Sequence, residues 1–204
     1  MSIPTLLTDL TTVKNRIGVS CSSDDTLITG LAEEVYSLAD ELLNRTMLTA
    51  THTEYHDGGG NVDLRIDNPP IVSVTSIHDD LDRSFAAASL LAAADYVWLS
   101  TADEGIIRRV SSVSGNSTRG RWGDGVDNVK IIYVGGWSAS TVPPGLLRVV
   151  FRFIAEAHNR TKQHGDGRSS VSLGSEKVSW LTEDFEARYY RALSTWRLMD
   201  KAIF

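Results

Sequence analysis

The chain has 204 residues, of which 42% are apolar and 23% charged, with a formal net charge of −6 and one cysteine, Cys21. This balance supports a buried core and excludes fibrous, collagen-like and wholly disordered classes, while a lone cysteine excludes an intrachain disulfide and a Cys-rich zinc site. The opening residues carry no basic stretch followed by an apolar run, and no window approaches the ~18 uninterrupted apolar residues of a membrane span, so a soluble protein made in a reducing cytoplasm is expected.

In chain order, Leu6, Leu10, Val13 and Ile17 recur at helical spacing and stop at Gly18, a residue suited to a helix C-terminus. Ser22-Ser23-Asp24-Asp25 reads as an N-cap with acidic residues in the first turn. A long amphipathic helix is expected from there to about Arg45, with Leu27, Ile28, Leu31, Val35, Leu38, Leu42 and Leu43 inward and Glu33, Asp40, Glu41 and Asn44 outward. The pattern then changes to strands. Val62, Leu64 and Ile66 alternate with Asp63 and Arg65. The glycine-rich Asp57–Asn61 turn predicts a hairpin between Thr53–His56 and Val62–Ile66. Ile71–His78, Tyr96–Leu99, Gly105–Val110 and Val129–Val134 are further strands, and Gly135-Gly136 closes the β section. Ala86–Ala94 reads as a short helical turn or loop, and Ser111–Asp127 as a long loop.

Pro143-Pro144 opens the next helix. Leu147, Val150, Phe151, Ile154 and His158 form its inner stripe, and Arg148, Arg152, Glu156 and Asn159 its outer one. Gln163–Ser175 is Gly/Ser-rich and reads as a mobile loop. A last helix from Thr182 carries Phe185, Tyr189, Ala192, Trp196 and Met199 as a stripe, with Asp184 and Arg188 as an i, i+4 pair. The expected fold class is therefore α+β: a helical body of two N-terminal and two C-terminal helices with an inserted antiparallel β subdomain. We expect one domain over 1–204, helical over 1–50, β over 51–140 and helical again over 141–204. The apolar stripes read as core, so self-association of the isolated chain is expected to be weak.

Charge is unevenly divided. Residues 1–140 hold 10 Lys+Arg against 19 Asp+Glu, whereas 141–204 hold 10 against 7. An acidic front and a mildly basic back suit head-to-tail packing of identical subunits, the alternative being chance variation between surface segments; a net negative protein does not attract nucleic acid.

Reactive chemistry finds few candidates. On a strand, His52, Glu54 and His56 point the same way, and two imidazoles with a carboxylate can ligate zinc; the alternative is the polar face of an edge strand. His78-Asp79-Asp80-Leu81-Asp82 supplies oxygen ligands without EF-hand spacing, and a solvated turn fits it better. Asp57-Gly58-Gly59-Gly60-Asn61 has no Lys-Ser/Thr and no following helix, so it is no P-loop. Arg119-Gly120-Arg121-Trp122-Gly123 pairs guanidiniums with an aromatic, as some nucleic-acid contacts do; a packed Trp122 with solvated arginines is favoured, with a contact to a partner subunit as the next reading. Cys21 adjoins a helix start but has no histidine at a telling spacing. No catalytic residue, cofactor site or metal site is assigned, and the chain is read as not an enzyme.

The order of these features resembles the head–tail connector (neck adaptor) proteins of tailed bacteriophages. The matching pieces run from Leu10–Val19, through the Ser-Asp-Asp helix start and Leu42–Thr46, to Glu54–Gly58 and Pro69–Ile77. They continue with Asp95–Val97, Asn128–Trp137 and Val142–Pro144. The resemblance spans roughly residues 5–160. It implies a structural virion protein in a ring of twelve at the neck, joining portal and head to a tail, stopper or terminator protein, with DNA passing through the lumen unbound. An acidic lumen suits sliding DNA. The alternatives are another tail-completion or baseplate protein and, last, a metal-dependent hydrolase using His52, Glu54 and His56.

Overall fold

A computed structural model describes residues 10–101, 104–113, 116–138, 140–162, 170–173, 176–179 and 185–197. The chain divides into two compact units, one from Met1–Asn44 with Ala139–Phe204 and one from Arg45–Ser138. The first is helical and the second is antiparallel β, inserted between the two halves of the helical body.

In the helical unit, α1 (Leu10–Ile17) buries Val13, and Gly18 ends it at φ +77°. That conformation lets Val19 N–H close back on Lys14 O at 2.9 Å, a Schellman-type stop. After a single 3₁₀ turn, α2 (Asp25–Leu43) buries Ile28, Ala32, Val35, Tyr36, Ala39 and Leu43. Asn44, left-handed at φ +56°, caps it by donating its N–H to Asp40 O and Glu41 O. The next helix, α3 (Pro144–Lys162), buries Leu146, Val150, Phe153, Ile154 and His158. The stripe thus turns slightly from the expected one, with Leu146 and Phe153 inward where Leu147 and Phe151 were expected. The last, α4 (Phe185–Leu193), locks on through Tyr189, whose ring lies 4.1 Å from that of Phe153 and whose hydroxyl donates to Val35 O at 3.2 Å. The helices α2 and α3 pack together, and α1 and α4 each touch both. Leu6, residues 163–169, the Thr182–Asp184 start and Met199 lie outside the described residues. Of the loop expected over Gln163–Ser175, only Ser170–Leu173 is described, as a strand that pairs with Glu176–Ser179 beyond it.

The β unit holds two sheets. One runs β1 (Ala50–His56), β7 (Val129–Gly135), β3 (Ile71–Asp79), with β7 central. The other runs β2 (Asp63–Arg65), β5 (Gly105–Val113), β4 (Tyr96–Ser100), and β6 (Asn116–Arg119) extends it by pairing with β5; the Ser170–Leu173 and Glu176–Ser179 pair above is β8 and β9. Leu64, Ile66, Ile71, Ile77, Ile107, Trp122, Val129, Ile131 and Tyr133 form the core, drawn from both sheets.

Two expectations fail here. β1 and β2 do not form a hairpin. All of β1, from Ala50 opposite Gly135 to His56 opposite Val129, pairs with β7, while β2 pairs with β5. The longer non-local ladder wins, because it also turns Leu64 and Ile66 onto Ile107 and Ile131 in one core. Nor is Ser111–Asp127 wholly a loop. Its first part continues β5 and returns as β6, with Val110 opposite Arg119. Gly136, at φ +99°, turns the chain out of β7, and Trp137 N–H then reaches Met47 O at 2.9 Å.

Candidate functional site

The strand β1 is pleated like any strand, so every second side chain leans inward. His52, Glu54 and His56 are half-buried on one face, as their spacing implies. The structure joins two of them: His56 Nε2 lies 2.9 Å from Glu54 Oε2. The remaining Glu54 acceptors are filled by the Tyr133 hydroxyl, the Asp67 N–H at 3.1–3.2 Å and Asn68 Nδ2 at 3.4 Å. Burial pushes the Glu54 carboxyl up, but His56, Tyr133 and the Asp67 amide together hold it below its ordinary value. His52 goes elsewhere. Its ring lies 5.4 Å from that of Tyr133, and burial lowers its pKa against the pull of Glu54. Glu54 therefore joins β1 to the Asp67-Asn68 corner and to β7. Sequence reading missed Tyr133 and Asn68; the alternation Val129-Ile131-Tyr133 placed the tyrosine inward, but only the fold shows what its hydroxyl meets.

The acidic run at the end of β3 is a built turn. Asp80 Oδ1 accepts from Asp82 N at 3.0 Å, and Oδ2 accepts from Ser84 Oγ and Phe85 N, both at 2.8 Å. These bonds hold its carboxyl below the ordinary range, Ser84 being the main cause. Arg83 and Phe85 sit left-handed at φ +56° and +48° within the turn. Asp79 accepts from Gly123 N at 3.0 Å and Asn128 Nδ2 at 3.2 Å. Asn128, a residue sequence reading passed over, is the common partner. Its Oδ1 accepts from Gly58 N at 2.9 Å, and its Nδ2 also donates to Gly123 O at 3.1 Å. The glycine-rich Asp57–Asn61 turn is thereby tied to the loop before β7. A Cβ on Gly58 would overlap the Gly123 carbonyl.

Trp122 is buried at 1% exposure, and its Nε1 donates to Val62 O at 3.0 Å. Arg121 donates to Gly60 O at 2.8 Å, and Arg109 lies over the Trp122 ring at 5.9 Å. The Arg-Gly-Arg-Trp-Gly segment closes the core rather than offering a stacking surface. In the helical unit Cys21 is exposed, 2.9 Å from Ser23 Oγ, and that bond lowers its thiol pKa. The neighbouring Asp24 does not cap α2. It bonds Lys162 at 2.6 Å and His158 at 3.1 Å, and Lys162 is the main cause of a carboxyl pushed down to about 2. Among the described residues, no group of three or more His, Cys, Asp or Glu side chains is placed to hold a metal, and no helix is long and apolar enough to cross a membrane.

What remains open on the surface is of another kind. The edge strand β4 exposes Val97, Trp98 and Leu99 at 48%, 40% and 54%. Two ion pairs lie on the same sheet: Arg108 with Asp63 at 2.6 Å, and Arg65 with Glu104. The outer edge of β4 thus carries apolar side chains open to solvent.

No family model and no curated protein matches the chain. Solved structures do. The chain is similar to one from the virion of a native gene transfer agent (GTA) particle, with a TM-score of 0.61, at 12% identity. It is similar to another from the neck of a native GTA particle computed with C12 symmetry, with a TM-score of 0.60, at 11% identity. A third, from the neck of an empty GTA particle computed with C6 symmetry, gives a TM-score of 0.58 at 12% identity. In each case all of this chain and 96% of the other are covered. The chain thus shares, over its full length, the fold of chains found in the necks of gene transfer agent particles.

Proposed function

We propose that this chain is a structural subunit of the neck of a tailed, phage-like particle. Copies of it form a ring, twelve in number, between the portal of the head and the tail or its stopper, and DNA crosses the lumen without specific binding. The observation that carries this reading is fold agreement over all of this chain and 96% of the other with chains from necks computed with C6 and C12 symmetry. The site chemistry agrees with it. The polar clusters that could have been reactive are used internally: Glu54 by His56, Tyr133 and the Asp67 amide, and Asp79 and Asp80 by the loops they hold. The exposed Val97-Trp98-Leu99 edge supplies contact surface rather than a pocket. The protein is made in the host cytoplasm and acts in the virion, as no enzyme.

The test is removal of this chain from an otherwise complete particle, followed by cryo-electron microscopy. The expected result is DNA-filled heads without tails, and a lost ring beneath the portal. Density for the chain at the baseplate or tail tip would overturn the neck assignment. Hydrolysis lost on His52→Ala or His56→Ala would overturn the structural one.

A further inference from the structure

The helical unit carries two unsatisfied rows of opposite sign. On α2, Glu33, Glu34 and Glu41 are exposed around Ser37, over about 12 Å of helix axis. On α3, Arg148 and Arg152 are exposed on one face with Asn159. Among the described residues, none of these five charged groups has an ion-pair partner, whereas Glu156, Arg160, Arg188, Asp24 and Lys162 of the same unit are all paired. The two rows point apart. The helices α2 and α3 pack on each other through their buried faces, and α1 and α4 fill the sides by touching both. The acidic row of α2 and the basic row of α3 therefore occupy opposite sides of the unit.

A surface acidic on one side and basic on the other cannot pair with itself by a two-fold axis, since like would meet like. It pairs head to tail, and head-to-tail contacts close into a ring when the rotation permits. We infer that the α2 row of one copy meets the α3 row of the next, and that this contact is the subunit interface of the ring. The inference rests on the ring reading above and deepens it by naming the faces. Long arginine side chains at i, i+4 reach a carboxylate row of that length, and exposed pairs are each weak and screened by salt. Association of isolated chains is accordingly weak, and the ring is completed on the particle.

Covalent trapping reads such a contact without needing a stable ring. In a Cys21→Ser background, Ser37→Cys and Asn159→Cys together, oxidised at about 20 mM salt, give a ladder of dimers, trimers and higher species, and about 0.5 M salt suppresses it. Each single cysteine gives no ladder beyond a dimer. Adding Arg148→Glu/Arg152→Glu lowers the ladder at least tenfold, as does Glu33→Lys/Glu34→Lys/Glu41→Lys. Mixing the two reversed chains restores it, because each then offers the row the other needs. Equal dimer yield from single and double cysteine chains, or a mixture that stays unlinked, overturns the interface. A neck ring imaged with these rows facing away from neighbouring copies also overturns it while leaving the ring intact. A neck without the chain removes the ring reading itself.

Discussion

Asn128 is the side chain whose replacement tests the β unit most sharply. It is 1% exposed, and its three hydrogen bonds join the Gly58 turn, Asp79 at the end of β3, and Gly123 in the loop before β7. Asn128→Ala leaves the Gly123 carbonyl without that donor and the Gly58 N–H with only Gly125 O, at 3.2 Å. At about 1 kcal/mol per neutral bond, and more for the bond to a carboxylate, the loss is about 3 kcal/mol. For a unit of this size that lowers Tm by about 10–20 °C. Asn128→Asp keeps the shape but sets a second carboxylate where Nδ2 now lies 3.2 Å from Asp79 Oδ1. Near pH 7 it is worse than alanine, because like charges at that distance cannot both ionise. A carboxyl whose folded pKa is raised binds its proton more tightly folded than unfolded. Its penalty is therefore present at high pH and shrinks as pH falls toward about 5. Thermal unfolding followed by Trp fluorescence reads both variants, and amide exchange at Gly58 separates local loosening from global loss. An aspartate variant no less stable than the alanine one at pH 7, or a gap between them that ignores pH, refutes the argument.

Tyr133→Phe removes the hydroxyl that donates to Glu54 and accepts from Asn68 N at 3.1 Å, and costs about 1–2 kcal/mol; the Glu54 carboxyl then titrates higher, read by NMR. Tyr189→Ala empties the Phe153 and Val35 contacts and costs about 3–5 kcal/mol, seen as helix loss in circular dichroism, whereas Tyr189→Phe costs about 1 kcal/mol. Asp24, held down to about 2 from an ordinary 3.8, contributes stability in full above pH 4 and loses it as pH falls through about 2. The Tm difference between wild type and Asp24→Asn should close over that window and no higher. Gly136→Ala destabilises by more than about 1 kcal/mol, because φ is +99° there and a Cβ would overlap the Leu48 carbonyl.

The helical body was legible because helical periodicity is local. Val13, Ile28, Val35, Leu43, Val150 and Ile154 are buried where i, i+3, i+4 spacing puts them. Gly18 and Asn44 end helices by the conformations their side chains permit. Strand positions were legible for the same reason, as the alternation through Val129, Ile131 and Tyr133 shows. Strand partners were not. Thr53–His56 and Val62–Ile66 are separated by a glycine turn that suits a hairpin, yet the pairing was settled by β7, more than seventy residues on. The β5–β6 hairpin was missed because Ser111–Arg119 is polar and lacks alternation. At the candidate site, the spacing of His52, Glu54 and His56 gave their common face but not their use, which Tyr133 and the Asp67 amide decide.

The proposed neck role puts function on the surface of this molecule. A reactive centre needs a polar group left poised; in the β unit Glu54 and Asn128 are tied to their own scaffold, while His52 Nε2 is buried without a hydrogen-bond partner. Glu54, Asp79, Asp80 and Asn128 each hold segments distant in sequence, and Trp122 seals the core beside them. That wiring ties together strands and loops distant in sequence, which would suit the proposed neck subunit. The unspent chemistry is on the outside, in Val97-Trp98-Leu99 and in the charged rows of α2 and α3. If these rows form the proposed interface, each such contact is weak alone and one copy holds its neighbour poorly. A closed ring multiplies the contacts, and losing one subunit then breaks two interfaces at once. In the proposed ring, weak, salt-sensitive faces would give assembly that is reversible for the free chain and firm once the circle is complete.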